Sequence, residues 1–180
     1  ASSVISAVRV PTAIPARAET LSELAVKHPD ATIVAGGTDV GLWINKQLRT
    51  LPKLIFTGGV EDLHAISDRV ATLSLGSAVT YAESEAQITA LSPDIAEVLR
   101  RIGSRQVRSS GTIGGNIANG SPIGDMPPLL IALGSRLVLR KGDEQRDILL
   151  EDFFIDYGKQ DRKPGELVWR IDIPKLTSNE

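Results

Sequence analysis

The first half of the chain carries short apolar segments separated by sharp breaks. Thr20-Leu21-Ser22-Glu23 has the Thr-x-x-Glu form of a capping box and predicts a short helix to about His28, broken by Pro29-Asp30. Thr32-Ile33-Val34-Ala35 is β-branched and apolar, predicting a buried strand that ends at Gly36-Gly37. Thr38 or Asp39 then caps a second helix from about Val40 to Leu48, and Lys53 to Thr57 predicts the next strand. Further on, Val70 to Gly76 alternates as a half-buried strand should, and Thr80-Tyr81-Ala82-Glu83 is a second capping box. Ser92-Pro93 opens a helix whose apolar face is Ile95, Val98, Leu99 and Ile102. Regular patterning stops from Gly103 to Pro128, where six of the sixteen glycines fall by Gly124. It returns with a helix near Leu129 to Leu133, strands near Arg136 to Arg140 and Glu144 to Leu149, a helical turn at Glu151 to Phe154, and a last strand from Leu167 to Ile173.

This order predicts an α+β chain in two lobes. Residues 1–58 form a small lobe containing a βαβ unit, and residues 59–180 form a larger lobe built on a mixed sheet. A length of 180 residues suffices for a real core in either arrangement. The hydrophobic share of 42% and charged share of 23% are those of an ordinary globular protein, and a net charge of −2 gives no basic excess for nucleic acid. No apolar run reaches the length of a bilayer span, and Ala1-Ser2-Ser3-Val4 lacks the order of a signal peptide, so the expected setting is cytoplasmic. With no cysteine, this chain holds neither an iron-sulfur cluster nor a cysteine zinc site. The last apolar segment runs almost to the end, as in a domain cut from something larger.

Two glycine loops carry the candidate chemistry. At Ile33, Val34, Ala35, Gly36, Gly37, Thr38, Asp39 and Val40 a strand turns directly into a helix, where free amides and the helix dipole favour an anion such as a pyrophosphate. A plain strand-to-helix turn would look the same. The loop has neither the Lys-Ser/Thr of a P-loop nor a Gly-x-Gly-x-x-Gly fingerprint. The second loop runs from Gly111 to Asp125, and a long stretch without regular structure in a compact domain is usually functional. The interleaved Ile113, Ile117 and Ile123 predict that it is ordered. Thr112, Asn116, Asn119 and Ser121 offer neutral hydrogen-bonding groups beside amides exposed by Gly114 and Gly115, a set suited to phosphates and sugar hydroxyls. Asp125 would repel a phosphate, so it either accepts hydrogen bonds from hydroxyl or ring N–H groups or serves as the N-cap of the helix at Pro127-Pro128. Arg105 and Arg108 flank the loop and either neutralise phosphate or pair within the fold. One loop per lobe predicts an elongated ligand between the lobes.

Gly36-Gly37-Thr38-Asp39, Arg105-Gln106-Val107-Arg108, Thr112-Ile113-Gly114-Gly115-Asn116-Ile117, Ser121-Pro122-Ile123-Gly124-Asp125 and Ile171-Asp172-Ile173-Pro174 together resemble the FAD-binding domain of xanthine dehydrogenases. The Gly-Gly-Asn-Ile and Ser-Pro-Ile-Gly-Asp runs look like that branch of the molybdenum hydroxylase flavoproteins rather than the carbon monoxide dehydrogenases. The resemblance implies the two-lobe FAD fold of p-cresol methylhydroxylase and vanillyl-alcohol oxidase. It implies that Ile33 to Val40 wrap the pyrophosphate and that Gly111, Thr112, Gly114, Gly115, Asn116 and Asn119 line the path to the ribityl chain and flavin. Asp125 becomes a polar flavin-side contact and Val168 packs near the ring. Ile102 stands where the animal enzymes have an aromatic residue against the flavin. His28 and His64 lie outside the matching motifs, so the FAD is expected to be non-covalent. By the same resemblance, a molybdenum cofactor and two 2Fe–2S clusters sit on other domains or chains. Electrons then pass from the iron-sulfur domain and molybdenum-binding subunit through FAD to NAD+. A further lobe with a lysine near the flavin follows in that family. No catalytic side chain of this chain and no metal ligand is expected. The alternatives are a stand-alone flavin oxidase or reductase of the same fold, or a non-catalytic nucleotide-binding or scaffold module.

Overall fold

The computed structural model describes residues 11–175, so the first ten residues of the expected small lobe lie outside it. Three short strands, β1 (Thr12–Ala13), β2 (Thr32–Val34) and β3 (Leu54–Phe56), form a parallel sheet in the order β1-β3-β2. Helix α1 (Ala18–Lys27) joins β1 to β2, and α2 (Thr38–Asn45) joins β2 to β3, which supplies the expected βαβ unit. Helix α1 starts earlier than its sequence predicts, with Arg17 at the N-cap and no side-chain cap bond. Thr20 and Glu23 therefore lie inside the helix rather than in a capping box. The face set by Ala18, Leu21, Ser22 and Ala25, all buried, decides where the helix runs.

Helix α2 is capped by Gly37, in the left-handed region at φ 69°, and not by Thr38 or Asp39, which already belong to its first turn. It ends at Asn45, short of the expected Leu48, itself in a left-handed conformation at φ 52°.

The larger sheet has the order β4-β5-β10-β6-β7, from β4 (Ile66–Asp68), β5 (Thr72–Gly76), β6 (Arg136–Lys141), β7 (Glu144–Leu149) and β10 (Leu167–Pro174). A mixed sheet was expected, but every pairing in it is antiparallel. Short connections decide two of the four pairings: β4 and β5 are joined by Arg69 to Ala71 and β6 and β7 by Gly142-Asp143, and so tight a hairpin permits only antiparallel strands. Strand β5 begins at Thr72, because Val70 sits at the tip of the β4–β5 turn, 98% exposed. A two-stranded ribbon of β8 (Phe154–Asp156) and β9 (Lys159–Gln160) completes the sheets, after the helical turn α8 (Leu150–Phe153).

One core lies between a face of the larger sheet and the helices that cover it. Leu73, Leu75, Leu137, Leu139, Ile171 and Ile173 meet Ile88, Ile95, Leu99, Ile113, Ile117, Met126 and Leu130 there. The other face carries a second core, where Val138, Leu167 and Trp169 pack with Ala18, Leu21 and Ala25 of α1 and Ile55 of β3. Strands β6 and β10 are thus covered on both faces, which explains the consecutive apolar residues Leu137-Val138-Leu139 and Leu167-Val168-Trp169. The register of β10 shifts between Val168 and Arg170, leaving Trp169 as the bulged residue. The bulge reverses the alternation, so Val168 and Ile171, three positions apart, reach the same core. Among the described residues no helix is long and apolar enough to cross a membrane, and no cluster of His, Asp and Glu is set to hold a metal.

Candidate functional site

The stretch from Gly103 to Pro128, expected to lack regular structure, is three short helices in succession: α5 (Arg105–Ser110), α6 (Ile113–Asn119) and α7 (Met126–Ala132). Two earlier helices, α3 (Glu85–Thr89) and α4 (Pro93–Arg101), precede them. In α6 the pair Gly114-Gly115 hides the helix from a sequence reading, because glycine disfavours helix intrinsically; here packing overrides that preference. A Cβ at Gly114 would lie 2.6 Å from the Ser77 Cα, so only glycine lets α6 settle on the end of β5. Thr112 is the N-cap, its hydroxyl accepting the Gly115 N–H at 3.0 Å. Ile113 and Ile117 are fully buried, whereas Ile123 is 87% exposed and does not help to order the loop. At the far end of α6, Gly120 adopts φ 61° and the Gln160 side-chain amide donates to the Ala118 carbonyl at 3.0 Å.

The two glycine loops touch through their backbones. A Cβ built on Gly36 would sit 1.7 Å from the Ser110 carbonyl oxygen, so this glycine is where the β2–α2 turn meets the α5–α6 junction. Around the contact opens a cavity of about 570 Å³. From the first loop it is lined by Ile33, Ala35, Gly36, Gly37, Thr38, Asp39 and Val40. Gly111, Thr112, Gly114, Gly115, Asn116, Asn119 and Asp125 line it from the second, with Ile102 and Val168 adding apolar wall. Of the expected set only Val34 is absent. It is 3% exposed and faces away from its neighbours Ile33 and Ala35, as alternation along a strand requires; its Cγ1 lies under Gly37.

The polar chemistry of the cavity is mixed. The α2 hydrogen-bond ladder begins with Gly41 N–H to the Gly37 carbonyl, so the amides of Thr38, Asp39 and Val40 precede it at the positive end of the helix. Asn116 presents a buried Oδ1 that has no hydrogen-bond partner. Asp125 does occupy the N-cap position of α7, yet its side chain makes no capping bond, so its carboxylate is free to accept from elsewhere. Arg108 is not free for an anion: its guanidinium donates to the carbonyls of Ile102 and Gly103 at the end of α4, at 2.9 and 3.0 Å. Neither Arg105 nor Arg108 lines the cavity. The cation that does is Arg162, from the loop before β10. His28 and His64 also lie outside the lining.

Sequence reading missed several lining residues besides Arg162, among them Leu42, Trp43, Ser77 and Tyr81. Tyr81 had no local signal, because it falls inside the expected capping box, whose reciprocal bonds form but close a turn ahead of α3, which begins at Glu85 with Ser84 at its N-cap. Glu83 N–H donates to the Thr80 hydroxyl at 3.1 Å, and the Thr80 N–H donates to the Glu83 carboxylate at 2.8 Å. Burial, and after it the charges of Asp125 and Asp39, push the Tyr81 phenol well above its ordinary value.

An orphaned buried acceptor, free helix-terminal amides and a long cleft between backbone-touching loops suit an extended ligand that contains both phosphate and hydroxyl groups. Similarity to known proteins points the same way. Residues 4–176 match the model of the family described as the FAD binding domain in molybdopterin dehydrogenase. The chain is 28% identical to the xanthine dehydrogenase/oxidase of Gallus gallus over 178 residues, covering 92% of this chain and 13% of that protein. Its fold is similar to quinoline 2-oxidoreductase from Pseudomonas putida 86, with a TM-score of 0.86 and 26% identity, covering 94% of this chain and 60% of that one. It is equally similar to a reconstituted CO dehydrogenase from Oligotropha carboxidovorans, with a TM-score of 0.87 and 28% identity over 94% of this chain and 60% of that one. The chain thus spans 13% of that xanthine dehydrogenase and 60% of each of the two solved chains. Its identity to xanthine dehydrogenase and to CO dehydrogenase is the same 28%, so similarity extends evenly to both branches.

Proposed function

The chain belongs to the family of FAD-binding domains of molybdopterin dehydrogenases, and from that premise we propose that it holds a non-covalent FAD in the cavity between its two glycine loops and relays electrons within a larger molybdenum hydroxylase. The observation that carries this reading is the cavity itself, which gathers both loops, Ile102 and Val168 around one cleft. In this reading residues 1–58 and 59–180 are the two lobes of the fold, with FAD along their junction. The amides at the start of α2 bind the pyrophosphate, and Arg162 supplies the positive charge first sought in Arg105 and Arg108. Thr112, Gly115, Asn116 and Asn119 bind the middle of the cofactor, the unpartnered Asn116 Oδ1 accepting a hydroxyl proton. Ile102 and Val168 form an apolar wall for the ring, and the exposed Asn119 and Asp125 line the opening.

Bound FAD supplies the redox chemistry, and the protein's part is to orient it, exclude water from one side and set its electrostatics. With FAD held here, two electrons from an iron-sulfur domain beside a molybdenum-binding subunit, together with a proton, would be passed as a hydride to NAD+ in the cytoplasm. The Gly-Gly-Asn-Ile and Ser-Pro-Ile-Gly-Asp runs, which resemble the xanthine dehydrogenase branch, support that acceptor. Two measurements on the intact parent protein test the reading. Removal of flavin followed by titration with FAD should restore a bound yellow chromophore at one FAD per chain. Anaerobic addition of NADH should then bleach it. A parent protein that takes up no FAD removes the site assignment, and one that binds FAD but is not reduced by NADH removes only the acceptor.

A further inference from the structure

Tyr81 is held by its backbone against the junction of α5 and α6. Its N–H donates to the Gly111 carbonyl at 3.1 Å, the Ala82 N–H to Arg108 at 3.0 Å, and the Ile113 N–H back to Val79 at 3.1 Å. The ring packs on Gly111, where a Cβ would lie 3.5 Å from two ring carbons. The residue is 4% exposed, yet it lines the cavity, and its hydroxyl makes no hydrogen bond to any described residue. A buried phenol normally finds a partner. This one lines the same cavity as Asp125 and Asp39, one carboxylate from each loop, and these are the charged groups that act on it.

Those two carboxylates decide what the partner is. A phosphate oxygen placed there would add a third negative charge to the pair, at a cost that low dielectric magnifies. A second donor such as a ring N–H cannot accept from the phenol. A hydroxyl can do both, accepting from the phenol and donating to a carboxylate. Within FAD such hydroxyls lie on the ribityl chain, between flavin and diphosphate. We propose that Tyr81 is a cofactor-binding residue that donates a hydrogen bond to a ribityl hydroxyl of FAD, whose own hydrogen is accepted by Asp125. The proposal rests on the reading of the cavity as the FAD site.

The test is made on the deflavinated parent protein, wild type and Tyr81→Phe, by titrating FAD through quenching of flavin fluorescence. ADP, which has the diphosphate without the ribityl chain, is the competitor. Tyr81→Phe should weaken FAD about fivefold to tenfold, the size of one neutral hydrogen bond, and leave the ADP inhibition constant within about twofold. Asp125→Asn should likewise weaken FAD and not ADP, and the double variant should lose less than the product of the two single losses because both act on one hydroxyl. This second arm holds even if the first variant lowers the melting temperature of the apo protein. The proposal falls if Tyr81→Phe leaves FAD affinity unchanged, if ADP weakens as much as FAD, or if the two losses multiply independently. In each of those cases wild-type FAD binding persists and the site reading stands. If the wild type binds no FAD, both fall.

Discussion

Two adjacent glycines in the first loop do different work. At Gly37 a Cβ has room, meeting only the Val34 Cγ1 at 3.7 Å, and the demand is for φ 69°. At Gly36 a Cβ would stand 1.7 Å from the Ser110 carbonyl oxygen, so the two loops must part before any side chain fits. Gly37→Ala is therefore expected to cost roughly 1–2 kcal/mol, the strain of a left-handed non-glycine residue, and to keep most of its FAD. Gly36→Ala is expected to lose more stability than Gly37→Ala and to release FAD on gel filtration. Melting temperatures and the absorbance ratio of flavin to protein check the ranking, and equal behaviour of the two variants would contradict it. The Gly-Gly pair was legible in the sequence as a sharp strand-to-helix turn. The division of labour was not, because the oxygen that excludes a side chain at Gly36 belongs to a residue 74 positions later in the chain.

At the scale of elements, the strand before the cavity wall is anchored by charge. Arg146 of β7 donates to Glu166 at 2.7 and 2.8 Å and to Asp161 at 2.6 Å, and the Lys163 N–H adds a bond to Glu166 at 2.9 Å. This ties the loop that carries Arg162 and the start of β10 to the edge of the larger sheet. The Glu166 side chain is only 4% exposed. Burial alone would raise its pKa, but the bonds from Arg146 and the Lys163 amide outweigh it and hold the group below its ordinary value. A carboxyl depressed by folding adds stability that is complete above the unfolded pKa, ~4.3 for glutamate, and is lost as pH falls through the lower folded value. Acid should therefore destabilise the wild type below about pH 4 more steeply than it does Glu166→Gln. Arg146→Met, which leaves the carboxylate buried and unpaired, should cost about 3 kcal/mol at neutral pH and loosen the loop that bears Arg162. Denaturant melts across pH 3 to 7 measure both, and parallel pH profiles for wild type and Glu166→Gln would refute the role. Long, periodic elements were read nearly where they lie: α4 spans Pro93–Arg101 and its Ile95 and Leu99 are buried as expected. The glycine-bearing helix α6 was not, since its stability comes from packing on β10 and on the end of β5 rather than from its own residues.

For the whole molecule, the cavity forms where the β2–α2 turn, the α5–α7 segment and the start of β10 converge. A ligand that bridges parts so far apart in sequence should stabilise all of them together. FAD at one hundred times its dissociation constant should raise the unfolding free energy by about 2.7 kcal/mol, seen as a single upward shift in melting temperature that ADP reproduces only in part. A chain whose melting is indifferent to FAD would speak against a bridging site. The sequence alone determined the order of elements, the βαβ unit, the two glycine loops and, through motif resemblance, the family. Those properties are local, carried by hydrophobic period, by glycine placement and by short runs of residues. Only the tertiary structure decided that Gly36 and not Gly37 is the point of contact, that Arg108 caps a helix while Arg162 reaches the cavity, and that Tyr81 lines it. Each of these depends on which backbone lies across from a residue, and pairings between distant segments leave no periodic trace in the chain.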